Sequence, residues 1–170
     1  MDPTQNAAFF HLVQHHGYPT PLLDWTYSPF VATYFAYHGA EGSDRADPSA
    51  DRKVRIFMFD KAKWCKDFDQ VRNASARWQH FSILEPIAID NDRTVPQQAL
   101  SSLTTVDDIE TYIHLKEKEA GRQYLQVADL PMRERDHAIR ELRLMGITAG
   151  LLFPGLDGAC EELRERFFGF

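Results

Sequence analysis

Residues 17–29, GYPTPLLDWTYSP, hold three prolines and a glycine, and they restrict the backbone more than any other part of the chain. Proline fixes φ at about −65° and has no N–H to donate. Pro19 and Pro21 therefore make a stiff corner that no helix can cross, and PTPLLDWTY reads as a turn-rich stretch. Residues 4–16 before it predict a helix, with Thr4 as cap and Ala8, Phe9, Leu12 and Val13 at helical spacing. Gly17 suits the left-handed residue that ends such a helix. After the corner, Ser28 and Pro29 have the character of a cap and a first helical residue. Phe30, Val31, Ala32, Tyr34, Phe35 and Ala36 are apolar on most sides, which predicts a buried helix stopping at Gly39. The corner pins Leu22 and Leu23 into the core and presents Asp24, Trp25 and Thr26 at a defined place.

Further along, GAEGSDRADPSADR (39–52) is polar, small and broken by Pro48, a surface loop. KVRIFMF (53–59) predicts a strand with Val54, Ile56 and Met58 on one face. A short helical or irregular piece follows at 62–68, and 77–89 is extended around Phe81, Ile83, Ile87 and Ile89. Residues 105–120 predict a helix ending at Gly121, and QYLQVAD (123–129) a strand. Pro131 opens a helix to Met145, with Met132, Ile139, Leu142 and Met145 inward and Gly146 as its stop. ITAGLLF (147–153) predicts a strand, and Asp157 the cap of a last helix through Phe168. Strands and helices mix without regular alternation, and no repeat or linker divides the chain. The expectation is one α+β domain over residues 1–170, with a mixed, mainly antiparallel sheet flanked by helices.

A chain of 170 residues with 44% hydrophobic residues can build a core without staples. Its two cysteines, Cys65 and Cys160, form no disulfide framework and suit a reducing compartment. No apolar run is long enough for a membrane span, and MDPTQNAAFF is no signal peptide. The expectation is a cytoplasmic protein that does not engage a membrane. The net charge of −6 argues against a general nucleic-acid binder. The densest basic run, MRERDHAIRELR, interleaves acids and reads as a solvated helix face.

Asp24 lies between two leucines and a tryptophan, so apolar surroundings are expected, and a carboxylate there needs partners. It either accepts bonds from turn amides or fixes a histidine or a ligand hydroxyl. His11 and His15 share a helix face at a zinc-ligand spacing, but Leu12 stands where a zinc-protease helix carries glutamate. A zinc-dependent enzyme is thus a third-ranked reading, and no metal is expected. His16, beside Gly17, is placed to face a cleft or to sit at a helix C-terminus. Trp25 either stacks on a planar ligand or fills the core. No nucleophile elbow, P-loop or dinucleotide fingerprint is present.

The run Gln14-His15-His16-Gly17-Tyr18-Pro19-Thr20-Pro21-Leu22-Leu23-Asp24-Trp25-Thr26, with Ser28-Pro29 and Tyr34-Phe35-Ala36, resembles the signature of the FRG domain. Ala76-Arg77-Trp78-Gln79-His80-Phe81 is similar to a later element of that family, without its glycine. Leu144–Ile147 and Leu152–Gly158 are similar to its C-terminal turn. On these stretches the resemblance covers residues 9–168. The Phe-Arg-Gly tripeptide that names the family does not occur, which suggests a version lacking the family's N-terminal part.

The resemblance implies a bacterial or phage toxin or defence setting, and a distant likeness to ADP-ribosyltransferases, which cleave NAD at the nicotinamide–ribose bond. NAD is then the expected substrate. Such a site needs a cation for the diphosphate, an aromatic wall, and groups that hold the ribose and stabilise positive charge. Arg77 and Gln79 alternate along an extended stretch and can share a face with a catalytic role, as can His16. Tyr18, Thr20, Asp24, Trp25 and Phe81 are the candidates for holding the nucleotide. The alternative is a non-catalytic module for a protein or nucleotide, with a partner at an exposed sheet edge. In a purely structural role, Arg77 would pair with Asp24 or Glu85 and Gln79 would bond backbone.

Overall fold

The computed structural model describes residue 10 and residues 13–14, 18–40, 51–72, 76–85 and 92–168. In chain order they form β1 (Leu22–Thr26), α1 (Pro29–Gly39), β2 (Lys53–Phe59), α2 (Lys61–Asp67), β3 (Phe81–Leu84), β4 (Ala99–Thr104), α3 (Ile109–Ala120) and β5 (Leu125–Pro131). A 3-10 turn at Met132–Glu134, α4 (Arg135–Leu144), α5 (Ala149–Leu152) and α6 (Leu156–Phe168) complete the chain. The class is α+β, as expected. In place of one mixed sheet there are two small antiparallel sheets, β1-β4-β3 and β2-β5. The described residues gather into two compact units, each assembled from three separate stretches of chain.

In the first unit the three-stranded sheet dominates. Phe81 lies opposite Thr104 and Leu84 opposite Ser101. The bond from Thr104 N–H to the Pro21 carbonyl at one end, and from Tyr27 N–H to the Gln98 carbonyl at the other, run β1 antiparallel to β4. The stretch after Pro21 is thus a strand, where sequence suggested an irregular turn. Alternation sends its side chains to two faces. Trp25, Phe81, Ile83 and Leu100 join Trp64, Ile113, Tyr124 and Leu125 in one core cluster. Leu22, Leu84 and Leu103 form another, against which Phe10 packs. Trp64 is fully buried; its indole N–H donates to the Phe81 carbonyl at 3.1 Å and its ring meets that of Phe81 edge-on at 5.6 Å. Burial of each such side chain contributes about 1.5–3 kcal/mol.

The helices of this unit carry their own stop and start signals. The Asp60 carboxylate accepts from Lys63 N–H at the start of α2, and Asp108 from Thr111 N–H at the start of α3. Gly121, at φ 61°, ends α3 in the left-handed region, as its sequence position predicts. Glu117 on α3 accepts both the Tyr124 and Leu125 N–H groups at 2.7 Å and so ties the helix to the start of β5. The central strand β4 had no counterpart in the sequence reading. Its two serines are fully buried, and each hydroxyl has a partner on β1. At the β3 edge, the Gln70 side-chain oxygen accepts the Ile83 N–H at 2.8 Å.

In the second unit Ser28 caps α1 by accepting from Val31 N–H. The helix buries only one stripe, Val31, Tyr34 and Tyr37, and leaves Phe30 and Phe35 exposed, so the expected all-round burial is corrected. That stripe packs with Ile139 and Leu142 of α4 and Ala149 and Leu152 of α5. Val54 joins this core, whereas Met58 is exposed and does not continue the expected face. Met145 is likewise exposed at the end of α4. Residues 147–153 are not a strand: Thr148 accepts from Leu151 N–H and starts the single turn α5. A short apolar run has no periodicity that separates the two states, and the threonine cap decides it. Asp157 lies inside the first turn of α6 and is not its cap.

Phe10, Val13 and Gln14 are helical; the remainder of the helix expected over 4–16, the loop at 41–50 and residues 86–90 lie outside the described residues. Among the described residues no helix is long and apolar enough to cross a membrane.

Candidate functional site

Phe10 and Gln14 are four residues apart on a helix and share a face. Phe10 packs on the Leu22 cluster, which places Gln14 over β1. The chain then reverses, with the Tyr18 N–H bonded to the Val13 carbonyl at 2.9 Å. This brings the Thr20 hydroxyl to the Gln14 side-chain oxygen, in a short hydrogen bond. The Gln14 amide nitrogen donates to Asp24 Oδ2 at 2.7 Å, and Ser101 Oγ donates to Asp24 Oδ1 at 3.2 Å. A carboxylate only accepts, so the direction of the chain Thr20→Gln14→Asp24 is fixed. Thr20 Oγ1 also accepts the Leu22 N–H at 3.3 Å, which locks the corner to the first residue of β1. The result is an exposed carboxylate whose two oxygens are each oriented by one donor. The expectation of apolar surroundings for Asp24 is corrected: its side chain emerges from the sheet beside the Leu22 cluster.

The other candidates fall in different places. Trp25 is half-buried; its N–H donates to Ser102 Oγ at 2.9 Å and its ring packs against Phe59 and Phe81 at 5.5 and 6.1 Å. Phe81 is buried in the same aromatic cluster. Tyr18 is exposed on the corner. Arg77 and Gln79 are exposed in the irregular stretch before β3. Leu84 is opposite Ser101, the partner of Asp24, so Arg77 and Gln79 lie beyond the far end of β3. At strand spacing that is roughly 10 Å or more from the Asp24 position. Glu85 pairs with Lys61 at 2.6 Å, and the Gln79 carbonyl accepts from the Tyr112 hydroxyl. His11, His15 and His16 lie outside the described residues. The structure therefore unites Thr20 and Asp24, adds Gln14, and separates them from Arg77 and Gln79. Ser101 was missed, and no local signal marks it: its role depends on β4 pairing with β1.

One buried ring beside this sheet stands apart. His80 is buried, with Nδ1 at 3.1 Å from Ser82 Oγ and Nε2 without a hydrogen-bond partner among the described residues. Burial pushes its pKa down, so the imidazole is neutral near pH 7.

The second unit holds a different polar cluster. His38 Nε2 lies 3.3 Å from Glu161 and 3.7 Å from the buried Glu165. The Tyr34 hydroxyl donates to Glu165 at 3.0 Å, Arg164 forks onto Glu161 at 2.6 and 3.0 Å, and Arg143 approaches Glu165 at 3.6 Å. The bond from Arg164, then that from His38, holds the Glu161 carboxyl at about 2, while burial pushes that of Glu165 up. One imidazole and two carboxylates within 4.8 Å is a donor set that suits a divalent cation. Here each carboxylate already faces a guanidinium, so the cluster reads as an ion-pair network that fastens α6 to α1.

The FRG domain family model matches residues 1–45 of this chain. The match holds the corner, Asp24 and the whole of α1, and it ends before the stretches at 76–81 and 144–158 that extended the resemblance. No curated protein and no solved structure matches the chain.

Proposed function

We propose that this chain binds a ribose-bearing nucleotide at Asp24, with NAD as the candidate ligand. The observation that carries the reading is the exposed Asp24 carboxylate, fixed from both sides by Gln14 and Ser101. An oriented carboxylate accepts bonds from neighbouring ribose hydroxyls without first giving up side-chain freedom. Tyr18, exposed on the same corner, offers a ring face to a planar base, whereas Trp25 is committed to the core. The enzymatic form of this reading is hydrolysis or ADP-ribosyl transfer from NAD in a cytoplasmic toxin or defence setting. Asp24 would then lie beside a ribosyl cation and stabilise it. Nucleotide binding without catalysis is the second reading, favoured by the distance of Arg77 and Gln79 from Asp24.

The test is calorimetric titration of NAD and ADP-ribose into the wild type and Asp24→Asn, with nicotinamide release followed in parallel. Binding by the wild type, weakened at least about tenfold in Asp24→Asn, is expected, since a hydrogen bond to a charged group is worth about 1.5–3 kcal/mol. Nicotinamide release that vanishes in Arg77→Ala or Gln79→Ala would establish the enzymatic form. Folded wild type that binds neither compound, or equal affinity in Asp24→Asn, overturns the reading.

A further inference from the structure

α6 carries Leu156, Cys160, Leu163 and Phe167 on its solvent side, with Leu156 79%, Leu163 50% and Phe167 70% exposed. At about 100° per residue these four fall within one narrow stripe. The stripe lies opposite the buried Gly158 and Glu165, so the helix is anchored by one face and apolar on the other. A helix end in water does not need such a stripe, and contiguous exposed apolar surface marks an interaction site.

We infer that the stripe is a dimer contact in which α6 packs antiparallel on α6 of a second copy of this chain. Two observations select that occupant. The spacings along the stripe are four, three and four residues, a pattern that reads the same in both directions. Under a two-fold axis Leu156 therefore meets the partner's Phe167, and Cys160 meets the partner's Leu163, as an isologous contact requires. The flanking charges agree. Asp157 and Arg164 border the stripe on one side, so the antiparallel arrangement sets Asp157 opposite the partner's Arg164. The two helix dipoles also oppose each other in this arrangement. Arg164 keeps its fork on Glu161 and contributes at longer range. A contact of a few side chains per copy is small, so the dimer is weak and depends on concentration.

The experiment is sedimentation equilibrium of the full chain, joined to oxidative cross-linking at Cys160. A mass rising from the 19.6 kDa of one chain towards twice that value, with a midpoint on the order of 10 μM, is expected. Copper phenanthroline should then join two chains of Leu163→Cys, which sets a new thiol opposite the partner's Cys160, and adding Cys160→Ser should abolish that product. Leu163→Glu should give monomer, while Leu115→Glu, exposed on α3, should leave the dimer intact. Circular dichroism confirms that both variants fold. Asp157→Lys should weaken the dimer roughly threefold to tenfold, by less at high salt than at low salt. Monomer at every concentration up to roughly 100 μM overturns the inference, whatever else then covers the stripe. So does a dimer that Leu163→Glu leaves unchanged.

Discussion

Gly158→Ala should destabilise the second unit by about 2 kcal/mol. A methyl group built on Gly158 would lie 1.9 Å from the Phe153 carbonyl oxygen and 2.9 Å from that of Ala149. Both are backbone atoms, of α5 and of the residue that follows it, and Thr148 and Glu162 hold that turn in place through side-chain bonds. Neither can swing aside as a flexible side chain would. Overpacking against a fixed neighbour costs typically 1–3 kcal/mol, and a contact this short belongs at the top of that range. Replacing glycine in a helix returns about 1 kcal/mol, which leaves the net figure. For a chain of this size, that is a fall in Tm of about 4–8 °C. Thermal and urea unfolding followed by far-UV circular dichroism measure it. Gly39→Ala is the control, since its added methyl meets nothing within 4 Å. An unchanged or raised Tm in Gly158→Ala would show that α5 and α6 do not approach as closely as described.

The Gly121 φ of 61° predicts that Gly121→Ala costs about 1 kcal/mol, read as a lower urea midpoint with unchanged slope. Trp25→Phe keeps an aromatic, though smaller, side chain but leaves the buried Ser102 hydroxyl one donor short, so unfolding free energy should fall by about 1–3 kcal/mol. The Glu161 carboxyl is depressed from its ordinary 4.5 to about 2, so its stabilising effect is whole above pH 4.5 and is lost as pH falls from there towards 2. Tm measured across that window should drop less steeply in Glu161→Gln than in the wild type; parallel curves would refute the pairing with Arg164 and His38. Glu165 works the other way. Its folded pKa is raised, so it favours the fold below its ordinary 4.5 and loses that contribution as pH rises towards the folded value. Glu165→Gln should therefore flatten the stability profile just above pH 4.5.

Local chemistry was legible wherever a residue acts on its own neighbours. Ser28-Pro29 starts α1 because the cap and the fixed φ act within three residues, and Gly121 stops α3 for an equally local reason. Lys53–Phe59 is a strand with the limits its sequence predicts. What depends on distant partners was not legible. Ser101 and Ser102 look like loop residues until β1 supplies Asp24 and Trp25 to their hydroxyls. Residues 147–153 look like a buried strand until Thr148 caps them into a turn against α6. In the candidate site the corner and Asp24 were readable as a motif. The grouping of Arg77 and Gln79 with them was not supported by the register, because a shared sequence signature carries no distance.

The order β1-β4-β3 has a consequence for synthesis. Both outer strands leave the ribosome before residues 99–104, the segment that joins them, has been made. Neither can find its permanent neighbour until then, and β1 must wait through more than seventy intervening residues. Non-local pairing of this kind is slow and leaves unpaired backbone exposed to other nascent chains. The Gln70 side chain, translated shortly before β3, can occupy the Ile83 N–H as soon as both have emerged. The bond that finishes this edge of the mature sheet therefore needs no partner that has yet to be translated.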